Sequence, residues 1–424
     1  MPEAVLYGVP VAVWIGGGLA LYMAWSIGAN DVANAMGTSV GSGALTVRQA
    51  IIVAGVLEFG GAFLAGGHVT DTVRKGMFDV DLVAERPDLL LYGMLASLAS
   101  AGTLLLAATR MGLPISTTHA IVGSIVGFAA VGIGVDAVAW GKVAQIAASW
   151  LTSPLIGGVL AFFIFNLVRG AILDRPEPMQ HARRYAPFFF GYVFFIIGLV
   201  TLFKGLKNLE LDFDLSTALV LSLALAVAGG LLGWFLMRRL RAEPDDPSDP
   251  DSPFRRVERV FVVLQILTAC AVAFAHGSND VANSIGPLAA VVHVARGLDV
   301  AGQAAVEPWM LALGGVGIIF GLATWGYRVM ETVGKRITEL TPSRGFSAEL
   351  AAATTIVLAS RLGIPVSTTH ILVGAVLGVG LARGIGALDL RVVGTIAVSW
   401  VATLPLAAVL SIFFFYFFKG LLST

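Results

Sequence analysis

Charged side chains are scarce in this chain of 424 residues. Asp, Glu, Lys and Arg make up 13% of it and hydrophobic residues 57%, whereas soluble domains carry about 25% charged residues. Positive and negative charges balance, so no nucleic-acid partner is indicated. Cys270 is the only cysteine, which excludes an internal disulfide. The composition therefore excludes an ordinary soluble domain.

Long apolar runs take the place of the missing charge. Residues 90–109, 186–203, 215–237 and 392–418 are each near the roughly 20 residues that a helix needs to cross a bilayer. The 50 glycines favour close helix packing over a β-barrel. The sequence predicts an all-α polytopic membrane protein, located in the cell membrane.

Three sequence blocks occur twice in the same order. They are "GANDVANAMG" and "GSNDVANSIG" from Gly28 and Gly277, "GLPISTTH" and "GIPVSTTH" from Gly112 and Gly363, and "IAASW" and "IAVSW" from Ile146 and Ile396. The two copies of each block are about 250 residues apart. Such regular spacing indicates an internal duplication.

The duplication divides the chain into four parts. Residues 1–170 form the first repeat, and residues 257–424 form the second. A connecting transmembrane hairpin covers 171–237, and a linker rich in proline and arginine covers 238–256. The linker composition is typical of a solvated, poorly ordered loop. Its arginines place it in the cytoplasm by the positive-inside rule.

Counting spans outward from this linker predicts about twelve transmembrane helices, with both termini outside. The loop 328–346 then lies inside the cell, whereas its counterpart 69–89 lies outside. The two repeats are therefore expected to have inverted topology. Inverted repeats, with helices broken near the membrane midplane, are the architecture of many secondary transporters.

The Asn-Asp blocks place acidic side chains in apolar surroundings. The side chains are Asn30, Asp31 and Asn34, with their twins Asn279, Asp280 and Asn283. An Asp at the bilayer centre costs about 2.5–3.5 kcal/mol and needs a partner or a water-filled cavity. Flanking glycines predict a helix interrupted at each block. Carboxylate, amide and carbonyl oxygens together favour a hard-cation site, and the alternative is a capped helix end.

The Ser-Thr-Thr blocks combine a proline with three hydroxyl side chains. They comprise Ser116, Thr117 and Thr118, with the twins Ser367, Thr368 and Thr369. Proline suits the first turn of a helix, and a helix start offers unpaired N–H groups with a favourable dipole. The pattern predicts two helix starts that bind one oxyanion. Ordinary N-capping is the alternative.

Electrostatic repulsion connects the two kinds of block. No arginine lies within them, and an oxyanion near Asp31 and Asp280 would be repelled by about 4 kcal/mol per charge pair at 4 Å in an effective dielectric of 20. A cation bound between carboxylates and anion removes that repulsion. The sequence therefore predicts obligatory co-transport of a cation and an anion.

Two acidic residues and three histidines are further candidates for the site. Glu58, without a twin near Ile319, lies in an apolar run and is a functional candidate. Glu349 is either functional or a partner of a helix dipole. The other side chains are His119 and His370, expected to bond backbone or hydroxyl oxygens, and His276, which has no twin and no expected role.

The doubled pairing of G-[AS]-N-D-V-A-N with G-[LI]-P-[IV]-S-T-T-H resembles the inorganic phosphate transporter (PiT) family. The resemblance implies a symporter that carries phosphate with sodium, with protons or as a metal–phosphate complex. It assigns phosphate binding to Ser116, Thr117, Thr118, Ser367, Thr368 and Thr369, with Asn30 and Asn279 touching either solute. It assigns coupling cations to Asp31, Asn34, Asp280, Asn283, Glu58 and Glu349. It also implies a homodimer.

The family pattern is not complete in this chain. Where some members carry an acid in the third helix, this sequence has Met94, so one cation site is expected to be altered or absent. Sodium is the favoured coupling cation and protons are the alternative, with no other cofactor. A sulfate permease of the same fold and a passive anion channel are alternative functions. An enzyme is not expected, because the adjacent Ser, Thr and His residues of each block lie on one helix and cannot easily form a nucleophile and its base.

Overall fold

The computed structural model describes residues 5–66, 77–78, 80–202, 213–239, 252–298, 304–362 and 366–423. Its α-helices in chain order are α1 Val11–Asp31, α2 Ala33–Gly41, α3 Val47–Ala65, α4 Pro87–Arg110, α5 Thr117–Gly132, α6 Trp140–Val168, α7 Pro178–Val200, α8 Leu215–Arg239, α9 Ser252–Ala295, α10 Pro308–Trp325, α11 Tyr327–Glu331, α12 Pro342–Leu362, α13 Thr368–Ala382 and α14 Leu390–Leu422. A two-stranded antiparallel ribbon, β1 Val5–Leu6 and β2 Val9–Pro10, precedes α1.

Most of the helices are long and apolar. Within the described residues, nine helical segments are long and apolar enough to cross a membrane, and α5 and α13 are shorter apolar helices. This confirms the prediction of an all-α polytopic membrane protein. The count of about twelve spans, the inverted orientation and the four-part division of the chain stay predictions.

The two Asn-Asp blocks differ in backbone structure. In the first block, Val32 alone separates α1 from α2 and keeps nearly helical angles, with φ −56° and ψ −25°. In the second block, α9 is continuous from Ser252 to Ala295. The expected interruption is therefore present in the first copy and wrong for the second. The Asn279 and Asn283 amides both donate to Asp280 within α9, so an unbroken helix satisfies this carboxylate, whereas Asp31 bonds side chains of other helices.

The predicted linker is partly helical. Residues 240–251 lie outside the described residues, but Arg238 and Arg239 end α8 and Ser252 begins α9. The first repeat ends near a π-helical turn, Arg169–Leu173, that continues α6. The expectation of a loop over 238–256 is therefore wrong at its two ends, because the flanking helices extend into it.

Helices from one half of the chain pack on helices from the other half. α5 of the first repeat packs on α14 of the second, and α13 of the second packs on α6 of the first. A Cβ atom at Gly127 would lie 2.3 Å from the Ala408 carbonyl oxygen, and one at Gly378 would lie 2.0 Å from the Gly158 oxygen. The small-residue runs after each Ser-Thr-Thr block are thus close backbone contacts between the repeats.

The chain turns sharply before the first Ser-Thr-Thr block. α4 ends beside Gly112, whose φ of +68° is a left-handed conformation that suits glycine. The Leu113 N–H donates back to the Ala108 carbonyl (2.9 Å). The next helix, α5, begins at Thr117, with the Ser116 hydroxyl accepting from the His119 N–H. This turn delivers the start of α5 to the interior.

A close contact between α1 and α10 gives a stability test. A Cβ atom at Gly28 would lie 1.9 Å from the Ile318 carbonyl oxygen, whereas nothing lies within 4 Å of one at Gly17 in the same helix. We expect Gly28→Ala to destabilise the fold by about 1–3 kcal/mol through overpacking. Gly17→Ala should instead stabilise it by up to about 1 kcal/mol through helix propensity. Thermal unfolding in detergent measures both, and equal effects of the two variants would contradict the contact.

Candidate functional site

The two Asn-Asp blocks meet at one place in the interior. Asp31 of α1 and Asp280 of α9, together with His276, each offer a ligand atom, and these atoms lie within 4.8 Å of one another. All three side chains are buried. Acidic side chains from both repeats therefore share one site, although about 250 residues separate them in sequence.

The starts of α5 and α13 both reach Asp31. The Thr117 hydroxyl donates to Asp31 Oδ2, and the Thr369 hydroxyl donates to Asp31 Oδ1 (3.2 Å). The Asn34 amide donates to Asp31 Oδ1 (3.0 Å) and to the Thr369 oxygen (2.8 Å). Two helix N-termini, one from each repeat, thus converge on a single carboxylate, which their dipoles stabilise.

Asp280 obtains its partners from its own helix. The Asn279 amide (3.0 Å) and the Asn283 amide (3.4 Å) donate to Asp280 Oδ1. His276 Nε2 lies 2.7 Å from Asp280 Oδ2, one helical turn away. In both copies the Asn three residues after the Asp donates to it. The copies differ in that only Asp31 also receives hydroxyl groups from the Ser-Thr-Thr helices.

Glu58 and His276, neither of which has a twin, contact each other. His276 Nδ1 lies 3.1 Å from Glu58 Oε1, and both side chains are buried. The imidazole therefore lies between the Glu58 and Asp280 carboxylates. His276 was expected to have no role, yet it contacts both acids. An unmatched acid and an unmatched basic residue in a duplicated chain were the signal for this pair.

Asn30 holds the turn that precedes α5. Its amide nitrogen donates to the Thr109 hydroxyl (3.0 Å) and to the Leu113 carbonyl (3.0 Å), and its oxygen accepts from the Ile115 N–H (3.2 Å). These bonds use both amide hydrogens. Its twin Asn279 is half-buried and lines the central cavity instead.

The central cavity lies beside the Asp31 cluster and leaves about 30 Å³ for the centres of water-sized molecules. Its polar lining residues are Asn34, His276, Asn279 and Thr368. Its apolar lining residues are Val200, Ala271, Val272, Ala275, Ala352, Ala353, Ile356 and Leu372. Asn34 Oδ1 is buried and, within the described residues, has no hydrogen-bond donor. The cavity therefore carries an unpaired acceptor close to both helix starts.

The remaining hydroxyl groups of the two blocks have different surroundings. Ser116 and Ser367 accept the N–H groups of His119 and His370 (both 3.3 Å), so capping accounts for their bonding in this conformation. Thr118 and Thr368 are half-buried.

His119 and His370 pack against aromatic rings. Their ring centres are 4.9 Å apart, and the His370 ring stacks on Trp400 at 3.8 Å. His119 Nδ1 and both His370 ring nitrogens are buried with no hydrogen-bond partner among the described residues. Bonding to backbone or hydroxyl oxygens was therefore a wrong expectation for these atoms, because the rings meet between the repeats where their neighbours are aromatic.

Trp400 connects this ring contact to the turn before α5. Its indole N–H donates to the Pro114 carbonyl (2.9 Å), while its ring stacks on His370. A tryptophan of the second repeat therefore fixes a turn of the first.

Glu349 lies in a second buried polar cluster. Its carboxylate accepts from the hydroxyl groups of Thr38, Ser39 (2.8 Å) and Thr268 (2.6 Å), and from the Gln265 amide (3.5 Å). α12 begins at Pro342, so Glu349 is beyond the first turn and is not a dipole partner. Hydroxyl and carboxylate oxygens are ligands that suit a hard cation. Met94, in contrast, is buried in the hydrophobic core.

The charge of the Asp31 cluster determines what it can bind. Asp31, Asp280 and Glu58 bring three carboxyl groups together around one imidazole. Buried charges are expensive unless they are paired. A cation that binds Asp31 and Asp280 would balance the excess, and an oxyanion at the two helix starts would then bind without repulsion.

The contacts of Asn30 give a test of how the turn is held. Asn30→Val should leave the buried Ile115 N–H without its acceptor and lower the free energy of unfolding by about 1–3 kcal/mol. Hydrogen exchange of residues 111–116 should become faster. Asn166→Val is the control, because the exposed Asn166 amide donates only to Phe162 in its own helix. Unchanged exchange at 111–116 would contradict the assigned role.

Known proteins resemble this chain over almost its whole length. The model of the phosphate transporter family matches residues 27–411. A Haemophilus influenzae protein named "Putative phosphate permease" is 47% identical over 405 residues, covering 95% of this chain and 96% of that one. "Inorganic phosphate transporter 2-1, chloroplastic" of Arabidopsis thaliana is 44% identical over 95% of this chain and 71% of its own.

A solved structure, "The sodium-dependent phosphate transporter", superposes with a TM-score of 0.86 at 41% identity, covering 97% of this chain and all of that chain. The family and these relatives are transporters and not enzymes. The resemblance noted in the doubled motifs is thereby confirmed: this chain belongs to the phosphate transporter family.

Proposed function

We propose that this protein is a secondary symporter that moves inorganic phosphate into the cell together with a cation, with sodium favoured. The observation that carries the proposal is the convergence of two buried carboxylates and two helix N-termini at one site. A passive channel would not need cation-binding carboxylates and anion-binding helix N-termini at one place. The fold alone does not carry this conclusion, because function depends on the site.

The bonds of Asp31 give the binding events an order. Thr117 and Thr369 donate their hydroxyl hydrogens to Asp31, so the carboxylate competes with an anion for these donors. A cation that coordinates Asp31 weakens its hold on both hydroxyl groups. They can then turn toward phosphate. The cation is therefore proposed to bind first and to prepare the anion site.

The proposed phosphate ligands are the hydroxyl groups and N–H groups at the starts of α5 and α13. They are Ser116, Thr117, Thr118, Ser367, Thr368 and Thr369, with Asn279 at the cavity wall. Asn30 is proposed to act by holding the turn before α5, because its amide is bonded there.

The proposed cation ligands lie in two places. Asp31, Asn34, Asp280 and Asn283 form the central site, and Glu349 with its hydroxyl partners forms a second one. Glu58 is proposed to act on the central site through His276, which separates it from Asp280.

Two observations bear on the identity of the solutes. The unpaired acceptor Asn34 Oδ1 favours a ligand that can donate a hydrogen bond. Phosphate carries a proton at neutral pH and sulfate does not, so phosphate is favoured over sulfate. Sodium is favoured because the solved relative is named a sodium-dependent transporter, and protons are the alternative. We also propose a homodimer in the cell membrane, with both termini outside and the central linker in the cytoplasm.

Uptake into proteoliposomes tests the coupling. We expect radiolabelled phosphate to accumulate with an inward sodium gradient, and a proton gradient alone should not support accumulation. Asp31→Asn and Asp280→Asn should each abolish uptake while the thermal unfolding transition persists. Asp136→Asn, at an exposed position, is the matched control. Gradient-independent uptake by the unaltered protein, or full uptake in both variants, would refute symport.

Thr368 gives a separate test of the anion site. Its side chain lines the cavity, so Thr368→Val should remove a hydrogen bond to the anion. Such a bond contributes about 1.5–3 kcal/mol, so the phosphate KM should rise about tenfold or more. The sodium dependence should stay unchanged. Thr395→Val is the control, since the exposed Thr395 bonds only Arg391 of its own helix. A change confined to sodium dependence would contradict the assignment.

A further inference from the structure

Two arginines lie beside one indole ring at the edge of the helix bundle. Arg110 ends α4, and its guanidinium carbon is 5.3 Å from the centre of the Trp325 ring. Arg328 of α11 lies 5.0 Å from the same centre and 5.7 Å from the Tyr327 ring. Each geometry is that of a cation–π contact. Three helices therefore bring two fixed positive charges to one aromatic side chain.

Neither guanidinium has an anionic partner within the described part of the chain. Arg336 pairs with Glu331 and Arg383 with Glu339, but no carboxylate lies within ion-pair distance of Arg110 or Arg328 there. Arg328 Nε is buried and receives no hydrogen-bond acceptor from the described residues. Both guanidinium groups lie within 5.3 Å of one ring centre, so their positive charges add up at this place and attract an anion.

The surroundings are those of a membrane–water interface. Trp25 packs against Trp325 with ring centres 5.4 Å apart, and its indole N–H donates to the Thr324 hydroxyl (3.0 Å). Tyr327 is 46% exposed and Phe320 63% exposed. Clustered tryptophan and tyrosine side chains with arginine beside them are typical of the level at which lipid headgroups lie.

We propose that Arg110 and Arg328 form a binding site for a phosphate group, separate from the transport site. A guanidinium fork donates two parallel hydrogen bonds to phosphate oxygens. Basic pockets between transmembrane helices bind the headgroups of anionic lipids by this chemistry. Inorganic phosphate offers the same oxygens, so the ligand is either a lipid phosphodiester or the free anion.

The position of the site connects it to the turn before α5. The hydroxyl of Thr109, the neighbour of Arg110, accepts a hydrogen bond from the Asn30 amide. A Cβ atom at Gly112 would lie 3.1 Å from the Thr332 hydroxyl and 3.5 Å from the Arg328 carbonyl oxygen. A ligand on both arginines therefore joins the end of α4 to α11 beside the turn that delivers the start of α5. Its occupancy should slow hydrogen exchange of residues 111–116.

Two binding measurements on the full-length protein distinguish the two sources. Native mass spectrometry counts bound phosphatidylglycerol and phosphatidylcholine after titration of each lipid. Equilibrium dialysis with radiolabelled inorganic phosphate, in nanodiscs of phosphatidylcholine, counts phosphate sites per chain. The variants are Arg110→Gln, Arg328→Gln and the double change. Arg336→Gln is the control, because it removes a nearby charge that already has a partner.

A lipid site predicts that each variant weakens phosphatidylglycerol binding about tenfold, the effect of losing one charge-assisted contact, with phosphatidylcholine binding unchanged. A free-anion site predicts loss of a second class of phosphate sites while lipid binding is unchanged. If both measurements match those of Arg336→Gln, the proposal is wrong. Should the double change fail to fold, Arg110→Gln and Arg328→Gln carry the test singly, and unchanged binding in both would equally overturn it.

Discussion

The Asp31 carboxylate and the donors around it determine how the centre of this molecule is built. A buried carboxylate needs several hydrogen-bond donors or a countercharge, and Asp31 takes donors from three separate helices. To supply them, the starts of α5 and α13 must both point inward. The turn at Gly112, the bonds of Asn30 and the indole of Trp400 all hold the first of these helix starts in position.

The two copies of the Asn-Asp block share the same Asp and Asn side chains but differ in what the two Asp side chains contact. Each Asp accepts a hydrogen bond from the amide of the Asn three residues later. Asp31 also accepts hydrogen bonds from hydroxyl groups, whereas Asp280 contacts the His276 imidazole. The Glu58–His276 contact exists only once. Two identical acidic sites would place like charges face to face, and one added imidazole reduces that repulsion. The asymmetry thus follows from bringing two copies of an acidic motif together.

Much of this arrangement was predictable from sequence, because duplicated motifs indicate which residues of the two halves meet. The all-α membrane fold, the family and the meeting of Asp31 and Asp280 with the Ser-Thr-Thr helices follow from the repeated blocks. The contacts of His276 and the hydroxyl shell of Glu349 did not, since they depend on how α3, α9 and α12 are rotated against one another. The unbroken α9 and the ring contacts of His119 and His370 were missed for the same reason. Local sequence patterns do not determine which side chains of a neighbouring helix will face a given residue.

The exchanged packing of α5 and α13 has a consequence for synthesis in the cell. The surface that receives α5 belongs to α14, which leaves the ribosome long after α5 does. Until then, Gly123 and Gly127 have no opposing backbone at Leu404 and Ala408 to lie against. The packing of the amino-terminal half in the bilayer is therefore incomplete until the carboxyl-terminal half has been inserted. Truncation of α14 would therefore remove the packing partner of α5, a helix inserted long before it.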